Sequence, residues 1–343
     1  MLYIFTKSTI SAGGSRHRAF FVADFLRKEG YESKLIIPAV YHKDVSRIKA
    51  RWRYLKIIFS LRREDVVFLQ NPIFSTYFIF FIIMVKIIFR PKIIFDFDDA
   101  TWVQNPIAPK ALALFADKFI VASHYLAKWP WIRGKPAMIM SNLIDYTLAE
   151  KYKTAKNSDK VVLGWIGGAE KSIKNLKLLA PILKRLSNKK LPIIFKIVGA
   201  GKSGKIQEIF DATGVDMEYV EKLDWGKEGE IQKANNSFDI GLCPLVDNES
   251  NEGRCSLKVL DYMASSVPVI ISPVGENRYF IEGEIGGFLP KNENEWVKNL
   301  EKLITDTTLR EKKGREAKER LVQNYSYQGN IQRYIKFLGL YSK

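Results

Sequence analysis

Short apolar runs of strand length alternate with helix-patterned stretches along almost the whole chain, and this constrains the fold more than any other feature. Leu2–Thr6, Ser33–Pro38, Asp65–Gln70, Lys92–Phe97, Lys118–Ala122 and Ala137–Met140 read as strands, with helices over Arg16–Glu29 and Phe74–Phe89 between them. Such alternation with short connections predicts a parallel, doubly wound sheet. Near Lys151–Lys160 the pattern breaks into the polar YKTAKNSDK, the composition of a hinge linker. It then restarts. Val161–Ile166, Ile193–Val198, Met217–Val220, Phe238–Pro244 and Val267–Ser272 read as strands, and Ile173–Leu186, Lys205–Ala212 and Cys255–Ser265 as helices. Glu293–Asn324 and Tyr327–Ser342 are helical by pattern. The expected class is α/β, with two Rossmann-like doubly wound domains over 1–155 and 156–325 and a helical tail over 326–343. A chain of 343 residues suits two domains at roughly 150 residues each.

Charge narrows the partners. Lys and Arg number 54 against 37 Asp and Glu, a net charge of +17, which attracts nucleic acid, anionic lipid headgroups or phosphorylated substrates. Two cysteines, Cys243 and Cys255, are too few for a disulfide framework or a four-thiolate zinc site, so a reduced cytoplasmic setting is expected. Met1–Thr6 lacks the basic leader of a signal peptide. Ile73–Phe89 is the most apolar stretch and includes Lys86; it reads as a helix buried in an α/β domain rather than as a membrane span. Ser46–Arg63 places Ile48, Trp52, Leu55 and Phe59 on one helical stripe, with Arg47, Lys49, Arg51, Arg53 and Lys56 around it. That pattern suits peripheral contact with an anionic bilayer, on the inner face of the membrane; the alternative is a packed helix with a basic outer face.

Ligands of open parallel sheets bind at the carboxyl ends of strands, so the loops there carry the chemistry. After the first strand, STISAGGS leads into RHR. Glycines at such a turn let a ligand approach the backbone, while Arg16 and Arg18 sit where a helix disfavours cations. A bound phosphate would offset that cost, and a plain turn with solvated arginines is the alternative. Gly167 and Gly168, with Lys171 and Lys174 beyond, occupy the same place in the second half and suit a diphosphate. Gly199–Ser203 imitates a phosphate-binding loop but has Lys196 where that pattern needs glycine, so a nucleoside triphosphatase is rejected. Asp96, Asp98 and Asp99 crowd one strand end, and three carboxylates there repel each other unless a base or ligand is near.

The most specific stretch is GRCSLKVLDYMASSVPVIISPVG, beginning at Gly253. On a helix at about 100° per residue, Arg254, Lys258 and Asp261 fall near 0°, 40° and 340°, opposite an apolar face. Backbone N–H groups around Cys255, Ser256 and Leu257 add to that polar flank. Phosphates at the front and a diol on the carboxylate would suit a nucleotide-sugar; an i,i+3 salt bridge between Lys258 and Asp261 is the alternative.

With these residues the chain resembles the retaining glycosyltransferases of the GT-B fold, family 4. The resemblance runs nearly end to end. It rests on the Gly-Gly loop with its arginines, on Ser141-Asn142-Leu143-Ile144-Asp145, on Gly164–Gly168 with Lys174, on Phe238–Leu242, and most specifically on LKVLDYMASSVPVI. The resemblance implies two domains facing a cleft, with the last helix crossing back to the first domain. It implies transfer of a sugar from a nucleotide-sugar, with retained anomeric configuration and no metal or other cofactor. The acceptor expected is a polysaccharide, glycolipid or lipid-linked glycan of the cell envelope. It gives Asp261 the ribose, Arg254 and Lys174 the departing diphosphate, and Gly14 a backbone N–H toward that diphosphate. Arg16, Arg18, Asp99 and His124 become acceptor-side candidates. Two positions depart from the family pattern. Gly253, beside Glu252, stands where the first of two acids belongs, and Asp98-Asp99 replaces a His-Asp pair, so Asp98 takes the place of the histidine.

A haloacid-type phosphatase would use Asp96 and Asp98, but Ala100 stands where its threonine belongs and some 90 residues of α/β pattern precede the motif. No helix-turn-helix, zinc or RNP pattern supports a nucleic-acid-binding protein, so no nucleic-acid partner is expected.

Overall fold

The computed structural model describes residues 1–38, 46–71, 76–103, 105–154 and 159–340. The chain divides into two compact units. One holds Met1–Leu143, Gly253–Cys255 and Asn330–Lys343; the other holds Ile144–Glu252 and Ser256–Gly329.

The first unit is built on six parallel strands: β1 (Leu2–Phe5), β2 (Ser33–Ile36), β3 (Val66–Gln70), β4 (Lys92–Phe97), β5 (Lys118–Val121) and β6 (Ala137–Ile139). Their order is β2-β1-β3-β4-β5-β6. Parallel strands covered on both faces need continuous apolar runs; β1 and β3 are buried at every position. Phe5, Phe68, Phe95, Phe97 and Phe119 fill the core. The helix expected over Arg16–Glu29 starts earlier, at Gly13, and passes through a π-helical turn at Arg16–Phe20 before Phe21–Lys28 continues as α-helix. From Asn330 onward the chain end belongs to this unit: Lys118 Nζ donates to the Phe337 carbonyl at 2.8 Å, and Gln332 Nε2 to Glu29 at 2.7 Å.

The second unit repeats the plan with β7 (Val161–Ile166), β8 (Ile193–Val198), β9 (Asp216–Val220), β10 (Ile240–Cys243), β11 (Val269–Ile271) and β12 (Gly287–Phe288), ordered β12-β11-β10-β7-β8-β9. Trp165, Phe195, Phe210 and Leu300 anchor its core. The helix read over Glu293–Asn324 is two helices, Glu293–Thr305 and Thr307–Asn324. Asp306 breaks it by capping the second, with Leu309 N donating to its carboxylate at 2.8 Å. Ile173–Leu186 likewise divides into Ile173–Leu176 and Leu179–Asn188. The helix Tyr146–Lys151, capped by Asp145, ends where the expected linker begins; residues 155–158 of that linker lie outside the described ones.

One helix of the first unit differs from expectation. Thr76–Phe89 is 14 residues long, about 21 Å at 1.5 Å per residue, against roughly 30 Å of bilayer core. Among the described residues, no helix is long and apolar enough to cross a membrane. Residues 74 and 75, read as its first turn, lie outside the described ones. The helix is not wholly buried either: Phe78, Ile82 and Val85 face inward while Tyr77, Phe80, Ile87 and Ile88 are exposed. Arg47–Ser60, capped by Ser46, forms as expected, and its apolar stripe is exposed at Ile48, Trp52 and Phe59 rather than packed away.

Candidate functional site

In each sheet there is one place where the connections from neighbouring strands leave in opposite directions, and a crevice opens at their carboxyl ends. In the first unit it lies between β1 and β3. A buried polar cluster occupies it. Gln70, the last residue of β3, accepts on Oε1 from Thr6 Oγ1, Ser15 Oγ and Lys7 N, each at 3.1 Å. Its Nε2 is buried without a hydrogen-bond partner. Asn71 follows in the left-handed region at φ 63°, and its Nδ2 donates to Asp98 at 2.7 Å. Asp98 is thereby fixed against Gly14, where an added Cβ would collide with the carboxylate. Gly14 and Asp98, singled out in the sequence, are therefore neighbours, and Gln70 and Asn71 join them. The signal that could have found those two is a polar pair set directly behind an apolar strand.

Arg18 is placed differently from expectation. It is fully buried, and its Nε donates to Asp96 at 2.8 Å and 3.1 Å, its Nη1 to the Met140 carbonyl at 2.8 Å. The misplaced cation is balanced by an internal carboxylate, which removes the need for a phosphate at Arg18. Burial works against the guanidinium charge, but Asp96 overrides it and holds Arg18 well above its usual range. Burial also pushes Asp96 up to about 6, against the pull of Arg18. A nucleophile without exposed surface cannot reach a phosphoryl group, so the phosphatase alternative loses Asp96. Arg16 is buried, and its Nη1 donates to the Ile10 carbonyl at 3.3 Å. Asp99 is exposed at its surface; desolvation and then the Asp98 charge raise its carboxyl above the usual range, with Arg254 pulling it back. His124 is half-buried and opens the helix His124–Ala127, which Ser123 caps through Leu126 N at 3.2 Å.

The sequence reading passed over His17. It is buried and edge-on to Phe21, with Nδ1 2.9 Å from the Leu143 carbonyl. Burial, helped by the Arg16 charge, lowers its imidazole to about 3. In an unfolded chain it titrates near 6.5. Between those values the unfolded chain takes a proton that the folded chain refuses. The stability so conferred is complete above about pH 6.5 and is lost toward pH 3, at about 1.4 kcal/mol per pH unit. Asp96, with its raised value, works in the opposite sense between 3.8 and about 6. The comparison therefore needs a control: the stability advantage of the wild type over His17→Phe should shrink by about 2–3 kcal/mol from pH 7 to pH 4.5 in urea titrations. An advantage that stays constant would mean that this ring titrates normally.

In the second unit the crevice lies between β7 and β10. Gly167 follows β7 at φ 145°, a conformation that side chains rarely adopt, and its N donates to the Val198 carbonyl at 2.9 Å. The helix after β10 begins at Leu257 and runs to Ala264, so Arg254 and Cys255 precede it rather than sharing its face. Ser256 stands at its N-cap without a side-chain capping bond, while its carbonyl accepts from Val259 N at 2.9 Å. Lys258 Nζ lies 3.6 Å from the centroid of the buried Trp165 ring, and an added Cβ on Gly167 would sit 3.1 Å from it. Gly167, Gly168 and Lys258 thus meet at one strand end, and the cation there is Lys258, which the sequence reading weighed beside Asp261 but did not rank. Asp261 lies further along the same helix, 8% exposed. Lys174 is exposed on the short helix Ile173–Leu176.

Three further positions are accounted for. Gly253 groups with the first unit, where a Cβ would stand 2.5 Å from Ala100 Cβ, so no acidic side chain fits there. Its neighbour Glu252 is held in a two-point pair by Arg278 at 2.6 Å and 2.9 Å. The 199–203 loop spends its N–H groups internally: Gly199 and Ala200 donate to Val220, Gly201 to Glu221 and Ser203 to Glu170, in keeping with its rejection as a phosphate cradle.

Residues 160–306 match the sequence model of the family described as glycosyl transferases group 1. Among curated proteins, none matches the chain. Several solved structures share the fold. Anabaena Alr3699/HepE, in complex with UDP and glucose, aligns at a TM-score of 0.72 and 13% identity over 99% of both chains. Sucrose-phosphate synthase from Thermosynechococcus elongatus aligns at 0.74 and 12% identity over 98% of this chain and 97% of its own. A glycosyltransferase from Rickettsia africae aligns at 0.68 and 12% identity over 98% and 97%. The chain therefore has the two-domain α/β architecture of GT-B proteins.

Proposed function

We propose that this protein is a glycosyltransferase that moves a sugar from a nucleotide-sugar to a glycan or lipid-linked acceptor, with retention of anomeric configuration and without a metal. One observation carries the reading: the Gly167-Gly168 turn, Lys258 and the uncapped start of the Leu257–Ala264 helix converge at the crevice between β7 and β10. Backbone N–H groups and a fixed cation in one place suit a diphosphate. The family match over the second unit and the UDP held by the Anabaena neighbour support the same ligand class.

In this reading the glycosidic bond to the diphosphate breaks while the acceptor hydroxyl bonds to the same face of the sugar and passes its proton to the departing phosphate oxygen. Lys258 and the helix amides stabilise the negative charge that develops on the leaving group, with Arg254 and Lys174 as the further cations assigned to it. Asp261 accepts from the ribose hydroxyls. Asp98, held by Asn71, stands where the resemblance places a histidine, and Asp99 and His124 remain acceptor-side candidates.

The test is a thermal-shift series with UDP, GDP, dTDP and CMP. At a hundredfold excess over its Kd, a ligand of the folded state adds about 2.7 kcal/mol, or several degrees in a unit of this size. Asp261→Ala should weaken the binding nucleotide about 10- to 100-fold, the worth of a charged hydrogen-bond acceptor, with unfolding otherwise unchanged. An unaltered Kd in that variant, or no shift with any nucleotide, rejects the proposal.

A further inference from the structure

The large apolar residues that the second unit exposes are Leu178 and Ile285; the others among the described residues belong to the first unit. Most of them sit on three helices. Arg47–Ser60, Thr76–Phe89 and Ile107–Phe115 connect β2 to β3, β3 to β4 and β4 to β5. All three crossovers advance in one direction along the sheet, so right-handed connections put the helices on one face. They pack side by side. Phe59 meets Phe81 edge-on at 5.6 Å across the first seam, and the Arg62 guanidinium covers Phe89 at 5.1 Å. Outward from that layer stand Trp52 at 68% exposure, Tyr77 at 73% and Ile107 at 79%, each with a second exposed apolar residue on its own helix: Ile48, Phe80 and Leu114. A folded chain in water rarely leaves so many large apolar groups exposed on neighbouring elements unless something covers them.

The charge on these helices says what covers them. No acidic residue occurs in 46–63, 76–92 or 107–115, whereas Lys49, Arg51, Arg53 and Lys56 are exposed around the Trp52 stripe. An apolar face with four exposed cations around its Trp52 stripe matches the boundary between anionic headgroups and acyl chains, where indole and phenol rings are favoured. A second copy of the chain meeting this face with its own would have to bury those cations against one another, because these three stretches carry no acids. We infer that this three-helix face docks on an anionic lipid bilayer, with Trp52, Tyr77 and Phe80 entering the interface and the arginines and Lys56 held by headgroup phosphates. This goes beyond the transferase reading and does not rest on it.

The experiment is sedimentation of the full chain with vesicles of phosphatidylglycerol and phosphatidylcholine at 1:1, against phosphatidylcholine alone, in 0.1 M salt. Binding is expected only to the anionic vesicles, with a blue shift of tryptophan emission. Each Lys or Arg near such a surface is worth about fivefold in partitioning, so the triple variant Arg51→Gln, Arg53→Gln, Lys56→Gln should bind about 100-fold more weakly. Trp52→Ser and Phe80→Ser should each lose about tenfold or more, and because these side chains are exposed the variants should unfold at the wild-type temperature. Equal binding to neutral vesicles, or none to anionic ones, overturns the inference. So does binding that the charge variant loses but the two serine variants keep, since that is attraction by net charge. Self-association of the wild type that Trp52→Ser abolishes assigns the face to a second copy instead.

Discussion

Asp96→Asn should destabilise the first unit by about 3–5 kcal/mol, because it leaves the buried Arg18 guanidinium without its ionic partner. Both side chains of the pair have no exposed surface, so solvent cannot take over the lost role. The Met140 carbonyl still accepts from Nη1, and the Asp98 charge lies close enough to favour the cation, which sets the loss toward the lower end of that range. Arg18→Met should cost a similar amount, now by stranding a carboxylate. Replacing both by apolar residues should recover much of either loss, since a buried pair and a well-packed apolar pair are often close in stability. Chemical denaturation at pH 7.5, where Asp96 is ionised, measures all three. Single variants within about 1 kcal/mol of wild type would show that the pair is not what holds this region together.

That pair also shows how far the sequence could be read. Strand after strand was legible because a parallel strand covered on both faces has to be apolar throughout, and β1, β7 and β10 carry no polar side chain beyond a tyrosine. The two-residue β12 carries no such run and was passed over. The helix Ile107–Phe115 carries no clear signal either, because Pro106 and Pro109 break the helical pattern although proline is tolerated in a first turn. Arg18 stood out in the sequence as a cation at the wrong end of a helix, and Asp96 as one carboxylate too many. They are 78 residues apart, and nothing local says that each resolves the other. Only the strand order, which sets the end of β4 beside the turn after β1 with β3 between them, brings the two together. The start of the Leu257–Ala264 helix was misjudged for a related reason. Arg254 and Cys255 continue the helical periodicity, but Gly253 has to pass Ala100 with no room for a side chain, and the chain turns into the helix only after Ser256.

Lys258→Met is the sharpest test of the chemistry proposed for the second unit. Methionine keeps an unbranched apolar stem that can still lie along Trp165, so packing is largely preserved while the charge beside Gly167 disappears. If Lys258 only stacks on the indole, its charge is worth about 0.5–2 kcal/mol of stability, and turnover per folded molecule should not change. If it stabilises a departing diphosphate, the effect falls on the transition state. Loss of one preorganised partner for a developing negative charge costs about 100- to 1,000-fold in kcat. The expected result is therefore a loss of that size in sugar release from the nucleotide-sugar, with a much smaller change in KM and thermal unfolding close to wild type. Lys174→Met gives the contrast, because its side chain is exposed on its own short helix. A fall in kcat confined to Lys174→Met would move the leaving-group role back to the residue that the resemblance favoured. A fall confined to Lys258→Met would give that role to the cation over Trp165.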